Sequence, residues 1–197
     1  MQKVNYQLLL DNLIEKISEE ENKRTLLLHS CCGPCSSYCL SYLKDFFDIT
    51  AYYYNPNIYP LEEYEKRLSE QKRLLSEMDI KLMDAAYDHD EFLDYIKGFE
   101  GEREGGERCR KCFELRLSKT FEAALKNGFD YFATTLTVSP HKNAVIINEV
   151  GEKLSSEKTV WLYSDFKKKD GYKKSIELSK QYELYRQNYC GCEFSIY

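Results

Sequence analysis

Short apolar runs, each ended by polar residues or by glycine and proline, alternate along this chain with longer segments whose apolar residues recur at helical spacing. Residues 25–29, 49–54, 80–83, 129–135 and 159–163 read as five strands. Helices are expected at about 5–20, 35–46, 62–78, 88–97, 108–126, 142–154 and 171–186. Such alternation leaves few solutions, because parallel strands need a crossover, and crossovers are right-handed and cover the sheet with helices. The expected fold class is therefore α/β: a doubly wound, mainly parallel five-stranded sheet flanked by helices, in one domain over residues 1–197. That length buries a core without covalent staples. In this architecture ligands bind beyond the carboxyl ends of the strands. Polar residues follow three of those ends, at 29–35, 55–57 and 134–141.

The first of these segments begins a second pattern. Eight cysteines fall as Cys31-Cys32-x-x-Cys35, Cys109-x-x-Cys112 and Cys190-x-Cys192, with Cys39 apart. Four chemistries compete for them. A disulfide framework suits small secreted domains and fits poorly here. A thiol–disulfide oxidoreductase would use Cys32-Gly33-Pro34-Cys35 at a helix start, but needs only two thiols. Structural zinc uses four, and its second knuckle normally follows within about 15–20 residues. Iron–sulfur ligation accepts thiolates from distant segments, and chemically it is the favoured reading. Cys39 lies one helical turn beyond Cys35 and reads as a small buried residue.

Composition narrows the setting. No apolar run approaches the roughly 18–20 residues of a membrane span, and the N-terminal segment lacks a cationic start and a continuous apolar stretch. A cytoplasmic, thiol-reducing setting is expected, with no membrane partner. The net charge of −5 gives no global field for nucleic acid. Locally, Lys167, Lys168, Lys169, Lys173 and Lys174 form a basic run that reads first as a solvated surface. His89, between two aspartates, also reads as surface.

Several segments together carry a resemblance. They are Leu28-His29-Ser30-Cys31-Cys32-Gly33-Pro34-Cys35, Tyr53-Tyr54-Asn55-Pro56-Asn57-Ile58-Tyr59-Pro60, Glu107-Arg108-Cys109-x-x-Cys112-Phe113-x-Leu115-Arg116, Thr134-Thr135-Leu136-x-x-Ser139-Pro140-His141-Lys142, Asp165-Phe166-Lys167-Lys168 and Tyr189-Cys190-Gly191-Cys192-x-Phe194-Ser195. In this order they resemble the QueH family, the cobalamin-independent epoxyqueuosine reductases. The resemblance implies reduction of epoxyqueuosine to queuosine at the wobble position of tRNA. It also implies a fold related to the PP-loop (HUP-like) nucleotide-binding domains. Here thiols stand where those domains keep a pyrophosphate loop, so no ATP use is expected, and the resemblance itself implies no cobalamin.

By the same resemblance, the expected cofactors are a [4Fe–4S] cluster and a second, mononuclear iron. Cys31, Cys32, Cys35, Cys109, Cys112, Cys190 and Cys192 are the candidate metal ligands. Cys32, Cys109, Cys112 and Cys190 are assigned to the cluster, and Cys31, Cys35 and Cys192 lie nearer the second metal. The chemistry needs a proton donor, for which Asp165, His29, His141 and Tyr54 are candidates. The implied partners are the tRNA anticodon stem-loop carrying epoxyqueuosine and an external electron donor of ferredoxin or flavodoxin type. For that RNA, Lys167, Lys168 and Lys169 with Arg108 and Lys142 offer phosphate contacts, and Tyr52, Tyr53, Tyr54 or Tyr59 offers a stacking surface.

Overall fold

A computed structural model describes residues 4–195. The chain runs α1 (Tyr6–Ile17), β1 (Arg24–His29), α2 (Gly33–Leu43), β2 (Phe47–Tyr52), α3 (Leu61–Glu77), β3 (Lys81–Met83) and α4 (His89–Tyr95). It continues through α5 (Glu107–Lys126), β4 (Tyr131–Thr134), a 3-10 turn (Thr135–Val138), α6 (Ala144–Leu154), β5 (Val160–Trp161), α7 (Gly171–Gln181) and a second 3-10 turn (Glu193–Ser195). The strands form one sheet in the order β3-β2-β1-β4-β5, and every pairing is parallel. The α/β class and strand count are those expected from the alternation.

β1 is central and buried on both faces, as a strand of a doubly wound sheet must be. Leu26, Leu27 and Leu28 are all at 0% exposure. Alternation along the strand sends them to opposite layers. Leu26 and Leu28 pack with Leu40, Leu43 and Phe166 on one face. Leu27 packs with Leu117, Phe132, Ile147 and Trp161 on the other. Each buried leucine is worth about 1.5–3 kcal/mol of transfer free energy. Cys39 is fully buried in the first layer.

Element ends differ from expectation where local bonding decides them. β2 stops at Tyr52, and Tyr53 and Tyr54 belong to the following loop. The last helix stops at Gln181, short of the expected 186, because Glu183 adopts a left-handed φ of 50°. The chain leaves β1 toward β2 on one side, and β4 starts again on the other side of β1. Between those two strands the connections diverge, and the resulting crevice is the binding position of doubly wound sheets. There His29 at the end of β1 is in register with Thr134 at the end of β4.

Candidate metal centre

Three chain segments converge on this crevice. The first is the turn from β1 into α2. Cys32 caps α2 with extended backbone and Pro34 occupies its first turn, a position where proline's fixed φ suits helix entry. Cys31 N–H donates to Thr135 Oγ1 (3.1 Å), so the 3-10 turn after β4 grips the thiol turn. The ligand atoms of Cys31, Cys32 and Cys35 all lie within 4.8 Å of one another. This set holds Cys32 together with Cys31 and Cys35, whereas the expected division put Cys32 with Cys109, Cys112 and Cys190. Close thiols share charge: hydrogen bonds from Cys31 and Cys35 hold the Cys32 thiol well below its usual range. Contacts with Cys31 and Cys32, with burial, push Cys35 well above it.

The second segment is the start of α5, capped by Gly106. Cys109, Cys112 and Arg116 recur at spacings of three and four and so share one helix face. Gly105 N–H donates to Cys109 Sγ (3.2 Å), and Arg116 Nη1 donates to Cys112 Sγ (3.8 Å). The thiols of Cys35 and Cys109 thus sit in first helical turns, where the macrodipole favours thiolate.

The third segment is the tail from Cys190 to Cys192. Tyr59 N–H donates to the Gly191 carbonyl (2.9 Å), and Arg67 Nη1 donates to the Cys190 carbonyl (3.2 Å). Arg67 is itself buried and paired with Glu63 at 2.7 Å. Cys192 is buried. Burial, with Cys190 and Cys112 beside it, pushes its thiol up to about 12.

A cavity of about 350 Å³ opens onto the thiols of Cys31, Cys32, Cys35 and Cys190. Two shielded cations share its wall. Lys142 Nζ donates to Cys190 Sγ (2.8 Å), and its nearest carboxylate is Glu104 at 3.6 Å. Arg116, 2% exposed, also donates to Asn55 Oδ1 (2.5 Å), and its Nε lies 3.3 Å from His29 Nε2. Among the described residues Arg116 forms no ion pair with a carboxylate. Burying an unpaired guanidinium is costly, so its charge has to be met by thiolate. The mutually close thiols of Cys31, Cys32 and Cys35, with Cys190 on the same cavity and two shielded cations beside them, fit an anionic, thiolate-bound metal group and fit a phosphate cradle poorly.

Of the four expected proton donors, only His141 borders the cavity. His29 is fully buried between Thr134 Oγ1 (2.7 Å) and the Tyr54 carbonyl (3.1 Å). Burial and the nearby Arg116 push it down to about 3, so it serves as a neutral strut that joins strand ends. Tyr54 is buried, donates its hydroxyl to Glu91 and does not line the cavity. Asp165 accepts from Lys167 Nζ (3.0 Å) and lies off the cavity wall.

The expected RNA-facing residues also sort differently. Tyr52, Tyr53 and Tyr54 are buried, because Tyr53 packs with Tyr64 of α3 and Tyr52 and Tyr54 join the layer that holds Phe92 of α4. Of the expected aromatics only Tyr59 is exposed, at 43%. Arg108 is buried and donates to the carbonyls of Glu100 and Glu102, fastening the 98–106 loop to α5. Lys142 is spent on Cys190. Lys167 and Lys169 pair with Asp165 and Asp11, which leaves Lys168, Lys173 and Lys174 exposed without an ion pair among the described residues. His89, expected at the surface, is instead largely withdrawn from solvent, its side chain 14% exposed: it bonds the Pro56 carbonyl (2.7 Å) and Glu193 (3.0 Å). Sequence reasoning misses Glu104, Tyr172 and Tyr189, which line the cavity. It also misses Arg116, for which the four-residue spacing from Cys112 is the available signal. Among the described residues no helix is long and apolar enough to cross a membrane.

Comparison with known proteins agrees with this geometry. The family model described as epoxyqueuosine reductase QueH matches residues 26–197. A Streptococcus pyogenes serotype M1 protein named epoxyqueuosine reductase QueH is 43% identical over 201 residues, covering 98% of this chain and 79% of the relative. A Thermotoga maritima protein of the same name is 34% identical over 176 residues, covering 87% of this chain and 90% of the relative. Among solved structures, the U34-tRNA thiolase NcsA from Methanococcus maripaludis with its [4Fe–4S] cluster aligns with a TM-score of 0.57 over 96% of this chain and 68% of that one. At 14% identity this likeness shows the fold alone, an α/β fold shared over most of the chain. Matched along most of its length by the family model and by relatives of that name, the chain belongs to the epoxyqueuosine reductase QueH family.

Proposed function

We propose that this chain reduces epoxyqueuosine to queuosine at the wobble position of tRNA, in the cytoplasm and as one domain over residues 1–197. The observation that carries the reading is one open cavity at the switch point of the sheet, lined by Cys31, Cys32, Cys35 and Cys190, with Lys142 and Arg116 on its wall bonded to Cys190 and Cys112. Cys31, Cys32, Cys35, Cys109, Cys112, Cys190 and Cys192 would hold a [4Fe–4S] cluster and a second iron. The Cys31, Cys32 and Cys35 set would serve one of them, and the residues around Lys142 the other. When bound, these groups would supply electrons singly and a Lewis-acidic position for oxygen. Neither ATP nor cobalamin has a role in this scheme.

Converting an epoxide to an alkene takes two electrons and two protons and releases the oxygen as water. The electrons come from a ferredoxin- or flavodoxin-type donor. The chain's own part is to bind the nucleoside, exclude bulk water and hold protons near the departing oxygen. His141 and Glu104, both on the cavity wall, are the proton-carrying groups. Tyr172, 37% exposed and on the same wall, offers a stacking face for a splayed anticodon base. Lys168, Lys173 and Lys174 supply phosphate contacts beside it.

The test is conversion of epoxyqueuosine-bearing tRNA by anaerobically purified, reduced protein, read by nucleoside mass spectrometry. Loss of one oxygen from the modified base is expected, with about five irons per chain. A colourless protein that holds only zinc and converts nothing would overturn the proposal and favour a zinc-dependent RNA-binding module. Turnover confined to Cys32 and Cys35 as a dithiol would favour a thiol–disulfide oxidoreductase.

A further inference from the structure

We propose that Lys142 and Arg116 are fixed counter-cations that set the reduction potential of the thiolate-bound metal centre, a role that rests on the iron–sulfur reading above. Both are positioning residues rather than catalysts, and their placement is what assigns them the role.

Lys142 enters from the segment between the 3-10 turn after β4 and α6, and its Nζ lies 2.8 Å from Cys190 Sγ. Arg116 enters from α5, one turn beyond Cys112, with Nη1 3.8 Å from Cys112 Sγ. The two cations therefore reach the thiols from different elements, and each touches a different cysteine segment. Arg116 is locked by Asn55 and His29, which are uncharged, so its position does not depend on an ion pair elsewhere. Lys142 is shielded too, with its side chain 10% exposed. Surface lysines that bind phosphate sit in water on long, mobile stems, and neither residue fits that description.

One-electron reduction by an external donor adds one negative charge to the thiolate assembly and leaves the number of thiolates unchanged. A positive charge held within about 4 Å in a poorly solvated site stabilises the more negative state more than the less negative one. The protein therefore makes reduction easier without adding a ligand, and local charge is an established lever on such potentials. Glu104, 3.6 Å from Lys142 Nζ, opposes this effect from the cavity side. Substrate entering beside Glu104 would alter that balance, which ties the potential to occupancy of the cavity.

The experiment is an anaerobic redox titration of the iron-loaded protein, followed by EPR and visible absorption. Lys142→Met is expected to lower the midpoint by at least a tenfold change in the reduced-to-oxidised ratio, which is 59 mV for a one-electron couple. Lys142→Arg should restore most of it, and Glu104→Gln should move the midpoint the opposite way. Arg116→Gln should act in the same direction as Lys142→Met. Should Lys142→Met lose its iron, Arg116→Gln and Glu104→Gln carry the test, and midpoints unchanged in both would overturn the proposal. Midpoints that are unchanged in iron-loaded variants, or equal in Lys142→Met and Lys142→Arg, would overturn the proposal. Wild-type protein that binds no iron would instead sink the metal-centre reading itself, so the two failures are distinguishable.

Discussion

Gly191 and Arg67 compete for one space: a Cβ on Gly191 would stand 2.8 Å from Arg67 Nη1. Gly191 also holds a φ of 113°, which L side chains rarely adopt. The same guanidinium donates to the neighbouring Cys190 carbonyl, so the close approach of backbone and arginine is what seats the tail thiols. Gly191→Ala is expected to cost about 1–3 kcal/mol of stability and to reduce bound iron at temperatures where the fold persists. Denaturant unfolding with iron analysis checks it. A variant with full iron content and unchanged stability would show that the tail is not seated this way.

Proton delivery separates residues on the cavity from those off it. Tyr54→Phe and Asp165→Asn should keep kcat within about threefold, because the Tyr54 hydroxyl is engaged by Glu91 and Asp165 by Lys167. His141→Gln should lower kcat by about 10²–10⁴. Single-turnover conversion of modified tRNA, read by nucleoside mass spectrometry, ranks them. A larger loss from Tyr54→Phe than from His141→Gln would reverse the assignment.

Lysines that carry no ion pair should carry the RNA. Charge reversal at Lys173 and Lys174 together is expected to weaken tRNA binding. The slope of log K against log salt should fall by about 1 for each lysine–phosphate pair removed. Reversal at Lys169, which is already paired with Asp11, should have a smaller effect on binding. Filter binding across a salt series measures both. Equal slopes in all variants would move the RNA surface elsewhere.

Asp130 ties the start of β1 to β4, accepting from Thr25 N–H (2.8 Å) and Thr25 Oγ1 (2.7 Å). Burial raises its pKa, but the Thr25 backbone and hydroxyl bonds and Arg24 outweigh that, and the net shift is downward. A carboxylate lowered in the fold stabilises above its unfolded pKa, near 3.9, and the contribution is lost as pH falls through the lower folded value. With its side chain 38% exposed, solvent screening reduces the effect: Asp130→Asn should cost about 0.5 kcal/mol at neutral pH, and its deficit against wild type should shrink below about pH 4. Urea midpoints at a series of pH values test this, and a deficit that grows on acidification would contradict it.

The alternation of apolar runs with amphipathic segments determined the fold class, because parallel strands joined by helices have almost no other packing. The residues after β1, β2 and β4 determined which rim would carry chemistry. Tertiary structure decided who meets whom. Lys142 and Cys190 are 48 residues apart in sequence, and a lysine that will lie against a sulfur looks, in sequence, like one that will face a phosphate. The same applies to Arg108, whose buried bonds to Glu100 and Glu102 follow from a loop closing over the start of α5. Tyr52, Tyr53 and Tyr54 were equally ambiguous, since an aromatic ring suits a core and a base stack alike until the layers above the strand end are in place. The thiols themselves were legible. That Cys31, Cys32 and Cys35 form one set, and that Lys142 and Arg116 stand over the others, depends on close packing at a crevice where β1 and β4 end side by side.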